Sequence, residues 1–210
     1  MVIAIEGMDG VGKTTISKRL AKTLKYIYVD KPLHYLLPGD EKNNYLELNC
    51  ILRKMYDLDD SVIKAWMIGL GNLYSCRQFK NKNIILDRHL VSNYFWNGTE
   101  ESKEVFRSLI KIIGAPDITI LLCASLQTRK NRLYQRDKND RDIKDSEIMV
   151  EGYDKMKKFL EEFRIPYIQI DTDGKNEDEV YRIVLKNINF IIKGGINHGN
   201  IEPGWKFTTY

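Results

Sequence analysis

A glycine-rich segment near the start of the chain has the residue types and spacing of a phosphate-binding loop. Residues 7–14 read Gly-Met-Asp-Gly-Val-Gly-Lys-Thr and match the complete pattern G-x-x-x-x-G-K-[ST]. The glycines let the backbone approach an anion closely, and the N–H groups stand at a helix N-terminus, where negative charge is favoured. Lys13 is expected to reach the β- and γ-phosphates of a nucleoside triphosphate, and the Thr14 hydroxyl to bind Mg²⁺. The predicted triphosphate site, called the phosphate loop below, comprises Gly7, Met8, Asp9, Gly10, Val11, Gly12, Lys13, Thr14 and Thr15.

A strand before this loop and a helix after it are the context that the pattern requires. Residues 2–5 form a short apolar run, and the apolar residues of 13–25 recur at the spacing of an amphipathic helix. Further strands are predicted at 26–29, 83–87, 117–123 and 166–171, and further helices at 46–57, 61–80, 100–113, 126–136, 145–163 and 176–193. This alternation predicts an α/β fold, in which a five-stranded parallel sheet has helices on both faces and ligands beyond the carboxyl ends of its strands.

Length and composition limit the classes of function. The chain has 210 residues, 43% of them hydrophobic and 30% charged, which is typical of one globular domain. A net charge of +4 gives little support to a nucleic-acid partner. No secretory signal and no apolar stretch of about 20 residues is recognisable, so we expect a cytoplasmic protein without a membrane partner. We expect residues 1–193 to form the domain, whereas the tail 194–210 packs on the domain, packs on a partner chain or is disordered.

Three further segments, taken with the phosphate loop, resemble the thymidylate kinase family of P-loop nucleoside-monophosphate kinases. They are Leu-Tyr-Ser-Cys-Arg at 73–77, Leu-Asp-Arg-His-Leu-Val-Ser at 86–92, and an arginine-rich stretch at 117–141. The resemblance implies a P-loop NTPase three-layer sandwich with an arginine-bearing lid at about 134–146, and a homodimer formed through the 61–80 segment. It also implies ATP- and Mg²⁺-dependent phosphorylation of a deoxynucleoside monophosphate, with dTMP as the leading candidate.

An aspartate ends the third predicted strand and an arginine follows it, and both residue types are suited to a transfer between two phosphates. Asp87 can hold Mg²⁺ or its waters together with Thr14, in the manner of a Walker B carboxylate. The planar guanidinium of Arg88 can bind oxygens of the acceptor phosphate bidentately. The alternatives are a helix cap for Asp87 and a surface ion pair for Arg88.

The arginines after the fourth predicted strand are candidates for stabilising the transferred group. Members of the family that carry a glycine at the position of Gly10 supply a transition-state arginine from the lid, and such an arginine can change the rate by several orders of magnitude. The resemblance therefore favours Arg132 and Arg136, with Arg141 third, whereas the alternative is a solvated helix face. The expected catalytic residues are Lys13, Asp87, Arg88, Arg132, Arg136 and Arg141.

The acceptor side departs from the family at two places. The family usually carries Arg-Glu-Pro-Gly-Gly after the second strand, but this chain has Asp-Lys-Pro-Leu-His at 30–34. Lys31 could replace the missing arginine as a point charge, and otherwise Arg53 and Arg88 must bind the acceptor phosphate. Leu73 stands where the family typically stacks a phenylalanine on the thymine ring. With Asp9 placed by the resemblance near the sugar 3′-hydroxyl, the expected substrate-binding residues are Asp9, Arg53, Leu73, Arg77, Arg88 and Ser92.

Two other functions stay open. A deoxynucleoside kinase shares this plan but needs a base to activate a hydroxyl, and such enzymes usually place a glutamate after the second strand, where Asp30 is the only nearby carboxylate here. A nucleotide-binding module without kinase activity also fits an altered acceptor site, since one fold hosts many functions. For His89, a packing role is favoured over an acid–base role.

Overall fold

One parallel sheet forms the centre of the protein. The computed structural model describes residues 1–30, 50, 54–55, 57–138, 143, 152–195 and 206–209. Their strands are β1 (Val2–Gly7), β2 (Ile27–Val29), β3 (Ile84–Asp87), β4 (Ile118–Cys123), β5 (Tyr167–Asp171) and β6 (Lys206–Thr209). All pairings are parallel and the order is β2-β3-β1-β4-β5-β6. The five predicted strands are confirmed, and β6 adds a sixth strand from the tail, where no strand was predicted.

Helices cover both faces of this sheet, as predicted. Their bounds are α1 (Lys13–Leu24), α2 (Ser61–Gln78), α3 (Leu90–Asn97), α4 (Lys103–Ile113), α5 (Leu126–Arg136), α6 (Gly152–Glu162) and α7 (Glu177–Phe190), followed by a π-helical turn at Ile191–Gly195. Helix α1 contacts α7, whereas α2 contacts α3 and α4, and α3 contacts α6. The predicted helix 46–57 and the predicted lid 134–146 lie largely outside the described residues.

The central strands are buried on both faces. β1 lies between β3 and β4, and all six residues of β4 are buried. A strand that is covered on both faces is a nearly continuous apolar run. The strand β4 could therefore be predicted from this run, although its residues do not alternate between apolar and polar. Since parallel strands end at the same edge, the phosphate loop after β1 lies beside the residues that follow β3 and β4.

Helix α3 was not predicted, and α4 begins at Lys103 rather than near residue 100. A hydrogen-bonded turn separates the two helices: the Ser102 hydroxyl donates to the Asn97 carbonyl at 2.7 Å and accepts from the Thr99 N–H at 2.9 Å. These side-chain bonds compete with helical ones, so the helix cannot extend back through this turn.

An aromatic cluster joins three of the helices on one side of the sheet. The ring of Tyr94 in α3 stacks on Phe159 of α6 with 4.5 Å between centroids, and it meets Phe106 of α4 edge-on at 5.0 Å. Such pairs contribute about 0.5–1.5 kcal/mol each beyond the burial of their area. Nowhere in the described part of the chain is there a helix with the length and apolar character needed to cross a membrane.

Candidate active site

The phosphate loop has a conformation that only glycine adopts without strain. Gly7, Gly10 and Gly12 have φ angles of 139°, 85° and 94°. A Cβ on Gly7 would lie 2.3 Å from the Leu122 carbonyl oxygen. Helix α1 then begins at Lys13 with Gly12 as its N-cap, which supplies no side-chain acceptor. The N–H groups of the first turn therefore have no side-chain cap of their own and can bind an anion.

Lys13 is directed back over the phosphate loop. Its side chain is only 5% exposed, and Nζ donates to the Met8 carbonyl oxygen at 2.7 Å and lies 3.5 Å from Asp9 Oδ1. Burial lowers the pKa of Lys13 to about 8, and the nearby Arg88 cation acts in the same direction. The ammonium thus lies where it can meet the phosphates of a bound nucleotide.

Asp87, the last residue of β3, has one carboxylate oxygen that is bonded and one that bonds nothing in the described part of the chain. Oδ2 accepts hydrogen bonds from the Thr14 hydroxyl at 2.5 Å and from the Tyr28 hydroxyl at 3.1 Å. Oδ1 is buried and makes no hydrogen bond to any described residue. A buried carboxylate oxygen without a partner is costly, which fits a site that a metal ion or its water completes.

The set of oxygen ligands at this place suits Mg²⁺ better than a metal held by protein alone. The described residues include no group of three or more His, Cys, Asp or Glu side chains that could hold a metal ion. Mg²⁺ is usually held by one or two protein oxygens together with substrate phosphates and waters. Asp87 and Thr14 are the two protein groups that could serve.

Arg88 and Asp9 form a partly buried ion pair above the loop. Arg88 Nη2 donates to Asp9 Oδ1, the same oxygen that lies near Lys13 Nζ. Burial alone would raise the pKa of Asp9, but the Lys13 and Arg88 cations hold it well below its usual range. Burial alone would lower the pKa of Arg88, and the charge of Asp9 raises it instead. All three groups are therefore ionised at neutral pH.

A cleft of about 710 Å³ runs from this ion pair along α5. Arg132 and Arg136 of α5 line it opposite the phosphate loop, and Lys175 to Glu177 form its far wall. Arg132 is bound to that wall: Nη1 donates to the Thr172 hydroxyl at 2.9 Å, and Nη2 to the carbonyls of Thr172 at 2.9 Å and Lys175 at 3.2 Å. The volume is that of a nucleotide-sized ligand site.

Known proteins resemble this chain over most of its length. The family described as AAA domain matches residues 3–156. A probable thymidylate kinase of Methanocaldococcus jannaschii is 26% identical over 90% of this chain and 97% of its own length. A putative adenylate kinase of Thermococcus kodakarensis is 30% identical over 90% of this chain and 85% of its own. A thymidylate kinase of Mycoplasma mobile is 30% identical over 67% of this chain and 74% of its own.

The chain belongs to the family described as AAA domain, and its relatives identify it as a thymidylate kinase-like nucleoside-monophosphate kinase. Solved structures share the fold of the kinase. A deoxyadenosine kinase from M. mycoides superposes with a TM-score of 0.64 at 22% identity, covering 90% of this chain and 99% of the other. A thymidylate kinase from Ehrlichia chaffeensis has a TM-score of 0.59 at 17% identity, covering 91% and 98%. The expectations of a P-loop NTPase fold and of a kinase are thereby confirmed.

The predicted substrate-binding residues of the kinase are spread over several elements. Leu73 is half-buried and Arg77 exposed in the second half of α2, and neither lines the cleft. Ser92 is buried in the first turn of α3, where its hydroxyl donates to Glu6. Their contact with an acceptor stays a prediction. Three residues expected at the acceptor or lid lie outside the described residues, namely Lys31, Arg53 and Arg141.

Glu6 is a site residue that the sequence analysis did not single out. Its buried carboxylate accepts hydrogen bonds from the backbone N–H groups of His89, at 2.7 Å, and Ser92, at 3.2 Å. Burial raises the pKa of Glu6 in spite of these bonds. A carboxylate of β1 thus fixes the start of α3 and, with it, Arg88. The one signal in the sequence is a charged residue at the end of an otherwise apolar strand.

Tyr28 of β2 was also missed, because nothing in its neighbourhood along the chain points to Asp87. Its hydroxyl donates to Asp87 at 3.1 Å and lies 3.3 Å from Asp30 Oδ1. Burial and the charges of both carboxylates raise the pKa of Tyr28, so the hydroxyl keeps its proton and remains a donor. This bond orients the carboxylate that the metal would need.

Proposed function

We propose that the protein transfers the γ-phosphoryl group of ATP, with Mg²⁺, to dTMP and forms dTDP. The observation that supports this proposal most directly is that Lys13 and Arg88 both contact the same oxygen of Asp9. A cation of the triphosphate site and a second cation suited to an acceptor phosphate thus stand next to each other. Relatives named thymidylate kinase support dTMP as acceptor, whereas others are named adenylate kinase or cytidylate kinase.

The chemistry asks for positioning rather than for a strong base. An acceptor phosphate oxygen is already anionic at neutral pH, so the work is to hold two anions together and to neutralise their charge. Lys13 and the N–H groups of the phosphate loop would hold the β- and γ-phosphates, and Arg88 the acceptor phosphate. Asp87 and Thr14 would hold Mg²⁺, which supplies further charge neutralisation on the triphosphate.

Arg132 and Arg136 of α5 both line the cleft, and both are candidates for stabilising the transferred group. Arg132 makes three hydrogen bonds to Thr172 and Lys175, which hold its guanidinium against the wall of the cleft. Arg136 lines the same cleft from the last turn of α5. We expect Arg136→Ala to lower kcat by about a hundredfold or more, and Arg132→Ala, which removes bonds within the wall of the cleft, to act mainly on the KM for ATP.

Product analysis with a panel of acceptors tests the proposed reaction. ATP and Mg²⁺ are supplied with dTMP, dCMP, AMP, CMP, thymidine or deoxyadenosine, and the products are separated by chromatography. We expect the highest kcat/KM with dTMP and no phosphorylation of thymidine. The Lys13→Met variant, which lacks the ammonium of the phosphate loop, controls for contaminating kinases.

Each other outcome of this assay supports a different function. Phosphorylation of a nucleoside but not of dTMP would establish a deoxynucleoside kinase, for which Asp30 is the carboxylate at the end of β2. A higher kcat/KM with AMP or CMP than with dTMP would show that the protein is a nucleoside-monophosphate kinase with a different preferred acceptor. Tight ATP binding with no turnover of any acceptor would establish a nucleotide-binding module.

We also propose that α2 forms the surface of a homodimer. Ile63, Trp66, Leu70 and Tyr74 recur along one stripe of this helix, and each is at least 43% exposed. An exposed apolar stripe of this kind on a helix is typical of an interface. Leu70→Glu should convert the dimer to a monomer in sedimentation velocity, whereas the equally exposed control Phe190→Glu on α7 should not. A monomeric wild-type protein would exclude the proposal.

A further inference from the structure

A buried lysine and a partly buried arginine meet one carboxylate at the centre of the proposed site. Arg88 Nη2 donates to Asp9 Oδ1, and Lys13 Nζ lies 3.5 Å from the same atom. The side chains of Lys13, Asp9 and Arg88 are 5%, 17% and 22% exposed. Two cations in such a place repel each other strongly unless an anion lies between them. Here the anion is the carboxylate of Asp9.

The backbone holds both cations where they are. Lys13 is in the first turn of α1, and its Nζ also bonds the Met8 carbonyl at 2.7 Å. Arg88 has a φ of 80°, and its N–H donates to the Ile5 carbonyl at 3.1 Å. The short side chain of Asp9 is the member of the three that can turn away most readily, since it lies on the loop beside the cleft.

We propose that Asp9 is a positioning residue whose carboxylate takes the place of a phosphate oxygen between Lys13 and Arg88 until the substrate phosphates displace it. The inference rests on the proposed function in assigning these two cations to phosphates. A phosphate oxygen and Asp9 Oδ1 cannot occupy one place, and their charges repel. Asp9 therefore keeps both cations oriented and at the same time competes with the incoming anion.

This competition predicts a gain of anion affinity when the charge of Asp9 is removed. The Asp9→Asn variant keeps an oxygen that can accept from Arg88 but leaves the cations without their counter-ion. Calorimetric titration with inorganic tripolyphosphate in the absence of metal should show binding at least about fivefold tighter than in the wild-type protein. A residue that only held the loop in shape would weaken binding when altered, so equal or weaker binding by Asp9→Asn overturns the proposal.

Glu177→Gln is the matched control for charge. Glu177 lines the same cleft, but its partner is Arg19, at 2.9 Å, rather than Lys13 or Arg88. The variant removes one negative charge from the cleft without touching the two cations, so its affinity for tripolyphosphate should stay within about twofold of the wild-type value. An equal gain in both variants would show a general effect of charge and overturn the proposal.

Thermal unfolding gives an independent measurement. Without ligand, Asp9→Asn should melt below the wild-type protein, and saturating tripolyphosphate should close that gap because the anion replaces the missing carboxylate. If the variant does not fold alone, tripolyphosphate should restore its far-UV circular dichroism, and failure to do so refutes the inference. No acceptor nucleotide enters these experiments, so they can succeed where phosphorylation of dTMP fails, and the reverse.

Discussion

Acidification should destabilise the protein through His89. The imidazole is 3% exposed, with Nε2 lying 3.7 Å from the Cys76 sulfur, and Nδ1 makes no hydrogen bond to a described residue. Burial lowers the pKa of His89 to about 4. In the unfolded chain a histidine has a pKa of about 6.5. Between these two values the unfolded state binds more protons than the folded state, so stability is lost as the pH falls through this window.

The size of the loss follows from the two pKa values. One pKa unit corresponds to about 1.36 kcal/mol, and the linkage relation gives a loss of about 2 kcal/mol at pH 5 relative to pH 7.5. Near pH 4 the loss from this one group reaches about 3 kcal/mol. A domain with a total stability of about 5–15 kcal/mol would show such a change clearly.

Urea unfolding measures the contribution of His89 to this loss of stability. The wild-type protein and His89→Asn are each unfolded at about pH 7.5 and about pH 5. Other groups, Glu6 and Asp9 among them, titrate in both proteins, so they cancel in the difference between the two. That difference in unfolding free energy should shift by about 2 kcal/mol in favour of His89→Asn on acidification. If it changes by less than about 0.5 kcal/mol, the burial of a neutral His89 is not the cause.

Three further changes test other parts of the site. Glu6→Gln leaves the N–H groups at the start of α3 with a neutral and weaker acceptor, and should lower the urea unfolding free energy by about 1–3 kcal/mol; an unchanged midpoint would contradict this role. Gly10→Ala would place a Cβ 2.8 Å from a backbone oxygen of α5 and should weaken ATP binding by about tenfold or more in calorimetry. Its control is Gly114→Ala, which has a similar φ of 83° but open space around the Cβ, and which should cost stability alone. Asp87→Asn should remove most of the dependence of ATP affinity on Mg²⁺ while binding of metal-free ATP stays within about twofold; a retained Mg²⁺ dependence would exclude Asp87 as the metal-holding residue.

The parts of the fold that could be predicted are those with a local signal. The phosphate loop is a continuous motif of eight residues, and β1 and β4 are apolar runs bounded by polar ones. Each feature is complete within about ten residues, so the pattern does not depend on the rest of the chain. The resemblance also predicts that Asp87 and Arg88 belong to the site.

The parts that could not be predicted depend on distant residues. Helix α3 has eight residues, and its start is held by Glu6 of β1 rather than by a side chain next to it. Two other contacts likewise depend on the order of the strands in the sheet. One is the bond of Arg132 to Thr172, and the other is the contact of Lys13 and Arg88 with Asp9. Strand β6 follows a glycine-rich tail segment, and although Phe207, Thr208 and Thr209 favour a strand, a run of four residues is too short to predict one without its pairing with β5.

The central place of β1 has a consequence for synthesis. The ribosome makes β1 before β3 and β4, the two strands that will flank it. Gly7 and Gly10 rest against the backbones of Leu122 and Arg129, so the phosphate loop has no support until α5 has emerged. Until then a nascent chain exposes an apolar strand, and nucleotide in the cell cannot protect it by binding. Vectorial synthesis therefore leaves this apolar segment without its flanking strands until β3 and β4 have been made.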